Sequence, residues 1–320
     1  MKLDIIIPAY KAKEKITKTI FSFGELKNYH FIIINDADNI DYTFLKELFP
    51  NGDFTFITNT INGGPGVCRN LGLSAVKYKY CMFIDAGDLI FSIYDFNRFL
   101  NTITTGNEVI APCHYQELQD GTLTIYRSDN NRIHGKIYNI AFLNKYNIRF
   151  NENCSYTNED IGFNFLCRLV SNSWQDREDV CQVIQTYDPK SLTQANNCKF
   201  YYNQNIMGLA KNAIYAFQKA YENKVPMDKI INFSYSSIIY SYIFYYTTKH
   251  QFPQYLDGAL AGAKYFYKNY IKNIENALYS QEFISCYQKV MRGIYADFNE
   301  PFLLGIPDLT IYDWLRSLAE

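Results

Sequence analysis

The chain has 320 residues, with 31 Lys+Arg against 32 Asp+Glu and a net charge of -1. Hydrophobic residues make up 48% and aromatics 17%, ample for a buried core, which excludes intrinsic disorder as the main state. No global positive field exists to drive nucleic-acid binding, and at roughly 100–200 residues per domain the length suits two domains.

The first half alternates strand-like and helix-like segments. Leu3–Pro8 is a continuous apolar run, as expected of a strand buried on both faces of a parallel sheet. Lys13–Leu26 has helical character, Phe31–Asn35 reads as a second strand ending in Asp36, Tyr42–Leu48 as a helix and Phe54–Thr58 as a third strand. The loop Asn62-Gly63-Gly64-Pro65-Gly66 precedes a helix expected to run to about Tyr78, with Pro65 near its first turn. Tyr80–Ile84 is a fourth strand, ending in Asp85. Such alternation implies an open α/β sheet, in which ligands bind beyond the carboxyl ends of the strands.

The pattern then changes. Glu108–Ala111 reads as a strand, Leu123–Arg127 as a hairpin arm after Asp120-Gly121, and Asn158–Leu169 as a helix. Pro189–Cys198 is polar and turn-rich, the expected linker. Beyond it apolar residues recur at helical spacing, as in Ile206/Leu209/Ala210/Ala213/Ile214/Phe217, with Pro226, Pro253 and Pro307 between segments. The expected domains are therefore an α/β domain over 1–195 and an α-helical domain over 196–320.

The 8 cysteines form no CxxC pair and lie mostly in apolar runs, so they read as reduced core thiols. The 4 histidines are scattered without HExxH, giving no histidine-based metal site. The N-terminal run carries Asp4 and does not read as a signal peptide. Phe233–Tyr246 is too short and too rich in serine for a membrane span, and reads as a buried or interfacial helix.

Three motifs carry chemistry. Asp85-Ala86-Gly87-Asp88 sets two carboxylates at a strand end, and carboxylate oxygens suit hard cations such as Mg²⁺ or Mn²⁺. Taken alone it also fits a solvated turn. Asn62 to Gly72 is a glycine loop opening a helix, with neither the spacing nor the place of a Rossmann fingerprint. Glu159-Asp160 sits at a predicted helix N-terminus, where acids complement the dipole or serve as a general base.

In order, these segments resemble family 2 of the inverting glycosyltransferases, whose nucleotide-sugar-binding fold is called GT-A. The resemblance covers roughly residues 1–195. Ile5-Ile6-Ile7-Pro8-Ala9-Tyr10 is similar to the family's opening strand and P-x-Y/F turn. Ile34-Asn35-Asp36-Ala37-Asp38 lies where the family has D-D-G-S, with Asp36 on the aspartate that reads the uracil base. Asn62 to Gly72 resembles N-x-G-x-x-x-A-R-N-x-G, Asp85 to Asp88 the D-x-D(D) metal motif, and Gly135-Lys136-Ile137-Tyr138 the K-L-Y segment. Glu159-Asp160 matches the E-D pair, whose second acid is the base, and Tyr187 with Ser191-Leu192-Thr193 resembles the end of the catalytic domain. The chain departs from the pattern at Asn35, Ala37 and Asp38, at Cys68 for Ala, and at Gly87, which stands where strict D-x-D has its second acid.

The resemblance implies a GT-A-type open, mostly parallel sheet sandwiched by helices, followed by an α-helical C-terminal domain. It implies that Pro8, Tyr10, Asp36, Asn62, Gly66, Arg69 and Asp85 hold the nucleotide. Asp85 and Asp88 would organise Mn²⁺ or Mg²⁺, Asp160 with Glu159 would be catalytic, and Lys136 and His134 would face the acceptor or the phosphates. The expected activity is metal-assisted transfer of a sugar from a nucleotide-diphosphate sugar, a UDP-sugar by preference, to a carbohydrate or other hydroxyl acceptor. The expected location is cytoplasmic or peripheral at a membrane, with the C-terminal helices serving the acceptor, a membrane surface, self-association or bracing. Three alternatives stay open: an inactive nucleotide-sugar-binding or assembly protein, a nucleotidyltransferase, and a transferase with an unusual acceptor such as a modified base in DNA. The second would need a basic phosphate loop after the first strand, where Pro8-Ala9-Tyr10-Lys11 stands.

Overall fold

The structure, a computed structural model, describes residues 1–104, 106–127, 131–189, 199–298 and 310–319. Its contacts divide the chain into two units, Met1–Tyr156 with Val170–Lys190, and Thr157–Leu169 with Ser191–Glu320.

The first unit is built on a nine-stranded sheet. Strands β1 (Leu3–Ala9), β2 (Tyr29–Asn35), β3 (Asp53–Thr58) and β4 (Tyr80–Phe83) are mutually parallel in the order β3-β2-β1-β4. The sheet continues through β8 (Ile137–Asn139), antiparallel to β4, then β6 (Val109–Glu117) and β9 (Trp174–Gln185), which run parallel to each other. The two-residue β5 (Leu89–Ile90) pairs with β9, and β7 (Leu123–Tyr126) forms a hairpin with β6. The helices of this unit are α1 (Lys13–Ser22), α2 (Phe44–Leu48), α3 (Gly64–Leu73), α4 (Ile93–Leu100) and α5 (Ile140–Lys145).

The period-2 geometry of the strands decides what each face meets. Leu3, Ile5 and Ile7 of β1 join Phe31 and Ile33 of β2 in one core with Ile16 and Ile20 of α1 and Phe96 and Phe99 of α4. Phe23, Tyr29, Phe31 and Phe96 meet there mostly edge to face, and each buried side chain contributes about 1.5–3 kcal/mol. The alternate residues Ile6 and Ile34 face α3, where a Cβ at Gly72 would come within 2.4 Å of Ile6 Cγ2. Helices therefore cover both faces of the parallel strands. The acid inside β1 is fully satisfied. Asp4 Oδ1 lies 2.6 Å from His30 Nδ1, and its Oδ2 accepts the Lys77 and Tyr78 N–H groups.

That last pair of bonds explains one departure from expectation. The third helix was expected to reach Tyr78 but ends at Leu73, because the following amides turn toward Asp4. Helix α1 likewise stops at Ser22 rather than Leu26, with Gly24 at φ +60° and a short 3-10 turn at Leu26–Asn28. Strand β6 extends well beyond Ala111, carried by its hairpin with β7.

The second unit comprises α6 (Glu159–Val170), α7 (Lys199–Glu222), α8 (Met227–Gln251), α9 (Leu256–Asn269), α10 (Gln281–Phe298) and α11 (Thr310–Ala319). Close approach of α9 to α7 requires Gly262, where a Cβ would sit 2.5 Å from the Met207 nitrogen. The serines of Phe233–Tyr246 are accommodated inside α8 by back-bonding, Ser234 Oγ to the Ile231 carbonyl and Ser241 Oγ to the Ser237 carbonyl. Helix α6 is tied to α7 and α8. Asn158 Nδ2 donates to Asn205 Oδ1 at 2.7 Å, Asn212 Nδ2 to the Thr157 carbonyl at 2.8 Å, and Lys229 Nζ to the Leu169 carbonyl at 2.8 Å. The helix that carries Glu159 and Asp160 thus groups by contacts with the C-terminal helices. Among the described residues no helix is long and apolar enough to cross a membrane. Most of the expected linker, with Cys198, the Ser191-Leu192-Thr193 segment and Pro307, lies outside the described residues.

Candidate active site

Parallel strands bring their carboxyl ends to one edge, and the sequence places its acids there. Asp36 follows β2 directly, with its N–H donating to the Ala9 carbonyl at the end of β1. Its buried carboxylate holds the glycine loop. Oδ1 accepts the Gly63 N–H and Oδ2 the Gly64 N–H, both at 2.8 Å, and Asn59 Nδ2 reaches Oδ1 at 3.2 Å. The Asn62 side chain donates to the Asp36 carbonyl and accepts the Tyr156 hydroxyl at 2.7 Å. Gly66, in the first turn of α3, donates its N–H to the Ser155 carbonyl at 3.2 Å. Asp38 accepts from the Lys11 N–H and, at 2.8 Å, from the Tyr42 hydroxyl, and so fixes the turn after β1 that presents an exposed Tyr10 beyond Pro8.

Asp85 and Asp88 flank a tight turn closed by the Asp88 N–H on the Asp85 carbonyl at 3.0 Å. Gly87 sits between them at φ +118°, a conformation L side chains rarely adopt. The second acid of strict D-x-D is therefore disfavoured in this turn, and the carboxylate comes one residue later. Arg69, fully buried on α3 with its guanidinium 5.3 Å from the centre of the Phe150 ring, donates to Asp85 Oδ1 at 2.8 Å. Asp88 Oδ1 accepts the Thr186 N–H at 3.2 Å.

His134 joins these two acids. One ligating atom from each of Asp85, Asp88 and His134 falls within a 4.8 Å cluster. The scattered histidines carry no metal-site spacing in the sequence, and the structure brings one of them, His134, beside the two acids. A tight turn before β8 delivers His134 to acids remote in sequence, a closure no spacing rule encodes. Lys136, from the same turn, is buried and donates its ammonium to the Arg132 carbonyl.

The electrostatics of the cluster suit a cation. Burial, then the neighbouring Asp85, pushes the Asp88 carboxyl well above the ordinary carboxylate range. Burial also works to raise Asp85, but the Arg69 guanidinium, through its charge and its hydrogen bond, more than offsets it and holds Asp85 below that range. Burial lowers His134 to about 4, with Asp85 opposing and Arg132 and Arg69 assisting, so its imidazole is neutral at neutral pH. Asp88 Oδ2 and both ring nitrogens of His134 are buried without a hydrogen-bond partner among the described residues. Buried polar atoms left in this state are costly, and a divalent ion would satisfy them. Carboxylate oxygens with one imidazole nitrogen are a donor set suited to Mn²⁺.

Glu159 and Asp160 occupy the first turn of α6, Glu159 buried and Asp160 half-buried, after Asn158 at φ +57°. They belong to the second unit, whereas Asp36, Arg69, Asp85, Asp88 and His134 belong to the first. Thr186 and Tyr156, which hold Asp88 and Asn62 in place, carry no sequence signal of their own.

The Glycosyl transferase family 2 model matches residues 4–167, just over half of the chain. The chain belongs to this family. A teichoic acid poly(glycerol phosphate) polymerase of Staphylococcus epidermidis is 28% identical over 173 residues, covering 48% of this chain and 24% of that protein. The chain thus spans about a quarter of the length of this curated relative. Among solved structures, S. aureus TarS 1-349 in complex with UDP-GlcNAc aligns with a TM-score of 0.59 at 15% identity, over 92% of each chain. The mannosyltransferase PcManGT of Pyrobaculum calidifontis, in complex with GDP-Man and Mn2+, aligns with a TM-score of 0.53 at 12% identity, over 99% of this chain and 86% of that one. These similarities carry the GT-A fold. With the family established, the D-x-D departure at Gly87 is a feature of this family 2 member.

Proposed function

We propose that this family 2 glycosyltransferase moves a sugar from a nucleotide-diphosphate sugar, a UDP-sugar in the first instance, to an acceptor hydroxyl with inversion at the anomeric carbon. The observation that carries the reading is the convergence of Asp85, Asp88 and His134 at the carboxyl ends of the parallel strands. The donors bound by structural neighbours, UDP-GlcNAc in TarS and GDP-Man with Mn2+ in PcManGT, support a nucleotide-sugar ligand.

Asp36, Asn62 and Gly66 form the nucleotide end of the site, with Pro8 and Tyr10 beside the base. Arg69 keeps Asp85 ionised and oriented, free to meet the ribose or the ion. Mn²⁺ or Mg²⁺ bound by Asp85 and Asp88 would supply positive charge against the diphosphate as it departs. The acceptor oxygen bonds to the anomeric carbon while the bond from that carbon to the phosphate oxygen breaks, and its electron pair leaves with the nucleoside diphosphate. Asp160 takes the hydroxyl proton, a role worth about 10²–10⁴-fold in rate, and Glu159 caps and orients. The C-terminal helices serve the acceptor.

A thermal-shift panel of nucleotide sugars with Mn²⁺ tests this reading. A donor at 100 times its dissociation constant adds about 2.7 kcal/mol of stability. A UDP-sugar is expected to give the largest shift, and a panel in which no nucleotide sugar stabilises the protein overturns the proposal.

A further inference from the structure

We propose that His134 is the third protein ligand of the divalent ion, beside Asp85 and Asp88, and that it biases the site toward Mn²⁺ over Mg²⁺. This rests on the reading above that Asp85 and Asp88 bind an ion.

The geometry is specific. His134 is 7% exposed and Asp88 6%, and His134 Nε2 stands 3.4 Å from Asp88 Oδ2 without a hydrogen bond between them. Two atoms bound side by side to one ion about 2.1 Å away lie roughly 3.0–3.5 Å apart, so this separation is that of neighbouring ligands. Neither ring nitrogen has a hydrogen-bond partner among the described residues, which is rare for a buried imidazole. Asp88 Oδ1 is already fixed by Thr186, so the open oxygen is the one that faces the ring.

The ring is held in place from the other side. His134 stacks on His114 with ring centres 5.1 Å apart, and His114 stacks in turn on Tyr126. Arg132 lies over the Tyr126 ring and within 3.3 Å of His114 Nε2. The backbone turn is fixed as well. Lys136 N–H donates to the Ile133 carbonyl at 3.0 Å, with Gly135 at φ +70° in the third position, which favours glycine in such turns. A brace on this scale around a ring whose nitrogens lack hydrogen bonds among the described residues is what a metal-binding histidine needs. An imidazole nitrogen suits Mn²⁺ and later first-row ions, whereas Mg²⁺ favours an all-oxygen shell.

Pulsed electron paramagnetic resonance of Mn²⁺ on the full-length protein, without nucleotide, decides the matter. The wild type is expected to show ¹⁴N modulation that changes to the ¹⁵N pattern when histidine alone is ¹⁵N-labelled. In His134→Gln the modulation should vanish, with Mn²⁺ affinity falling at least on the order of tenfold and Mg²⁺ affinity nearly unchanged. Asp88→Asn separates the two claims. If it abolishes Mn²⁺ binding while the wild type shows no histidine ¹⁴N coupling, His134 is not a ligand and the ion site stands. If Mn²⁺ binding is the same in Asp88→Asn and wild type, the ion-site reading and this inference fall together. The wild-type signal needs no variant to fold, so a destabilised His134→Gln leaves the answer intact.

Discussion

Asp36 Oδ2 accepts the backbone N–H of Gly64 at 2.8 Å, and its other oxygen accepts that of Gly63 at the same distance. The carboxylate assigned to the nucleotide base therefore also anchors the loop that opens α3.

Asp36→Ala should consequently act twice. Loss of hydrogen bonds to a charged group costs about 1.5–3 kcal/mol each at most, and the orphaned amides loosen the loop. The melting temperature should fall, and KM for the donor should rise with kcat little changed, since the contact is made in the ground state. A variant with normal KM and a collapsed kcat would show that Asp36 acts on chemistry instead.

Gly87→Asp restores the spelling of strict D-x-D but not its geometry. At φ +118° a non-glycine residue costs on the order of 1–3 kcal/mol, and its Cβ would point beside Lys15 and Thr186. The variant should melt lower and bind Mn²⁺ no better. Improved Mn²⁺ affinity with unchanged stability would contradict the account of this turn.

Much of this site was legible in the sequence. The apolar runs of β2 and β4 end just before Asp36 and Asp85, so their place at the sheet edge followed from the parallel pattern. Strand β9 was not legible, because most of its residues are polar and only two of them are fully buried. Its end supplies Thr186 to Asp88, so that support was hidden too. His134 was expected at the acceptor or the phosphates; its neighbour Asp88 was not legible, because no local pattern links the two and their meeting is made by the sheet order β4-β8-β6.

A chain cut at residue 195 should fail to fold well. Helix α6 would lose α7 and α8, exposing Phe165, which packs 5.1 Å from Phe233 and 6.3 Å from Phe217. Size-exclusion chromatography and thermal melting are expected to show aggregation or a loss of cooperativity. A monomeric fragment with a sharp melt and full transfer activity would reject any need for the helices.

Asp160→Asn should reduce transfer by about 10²–10⁴-fold while leaving donor binding nearly intact, because the amide is isosteric but too weak a base. Successive helical residues point about 100° apart, so Glu159 and Asp160 do not share one direction. Glu159→Gln is the comparison and should retain more activity. An inactive Glu159→Gln beside a near-normal Asp160→Asn would reverse the assignment.

Titration calorimetry of UDP into the full-length protein, with and without Mn²⁺, tests the central claim most directly. The account predicts that UDP binds, that Mn²⁺ tightens it, and that Asp88→Asn removes the Mn²⁺ effect while leaving a weaker Mn²⁺-independent affinity. No binding heat in either condition, or tight UDP binding indifferent to both Mn²⁺ and Asp88, would contradict it.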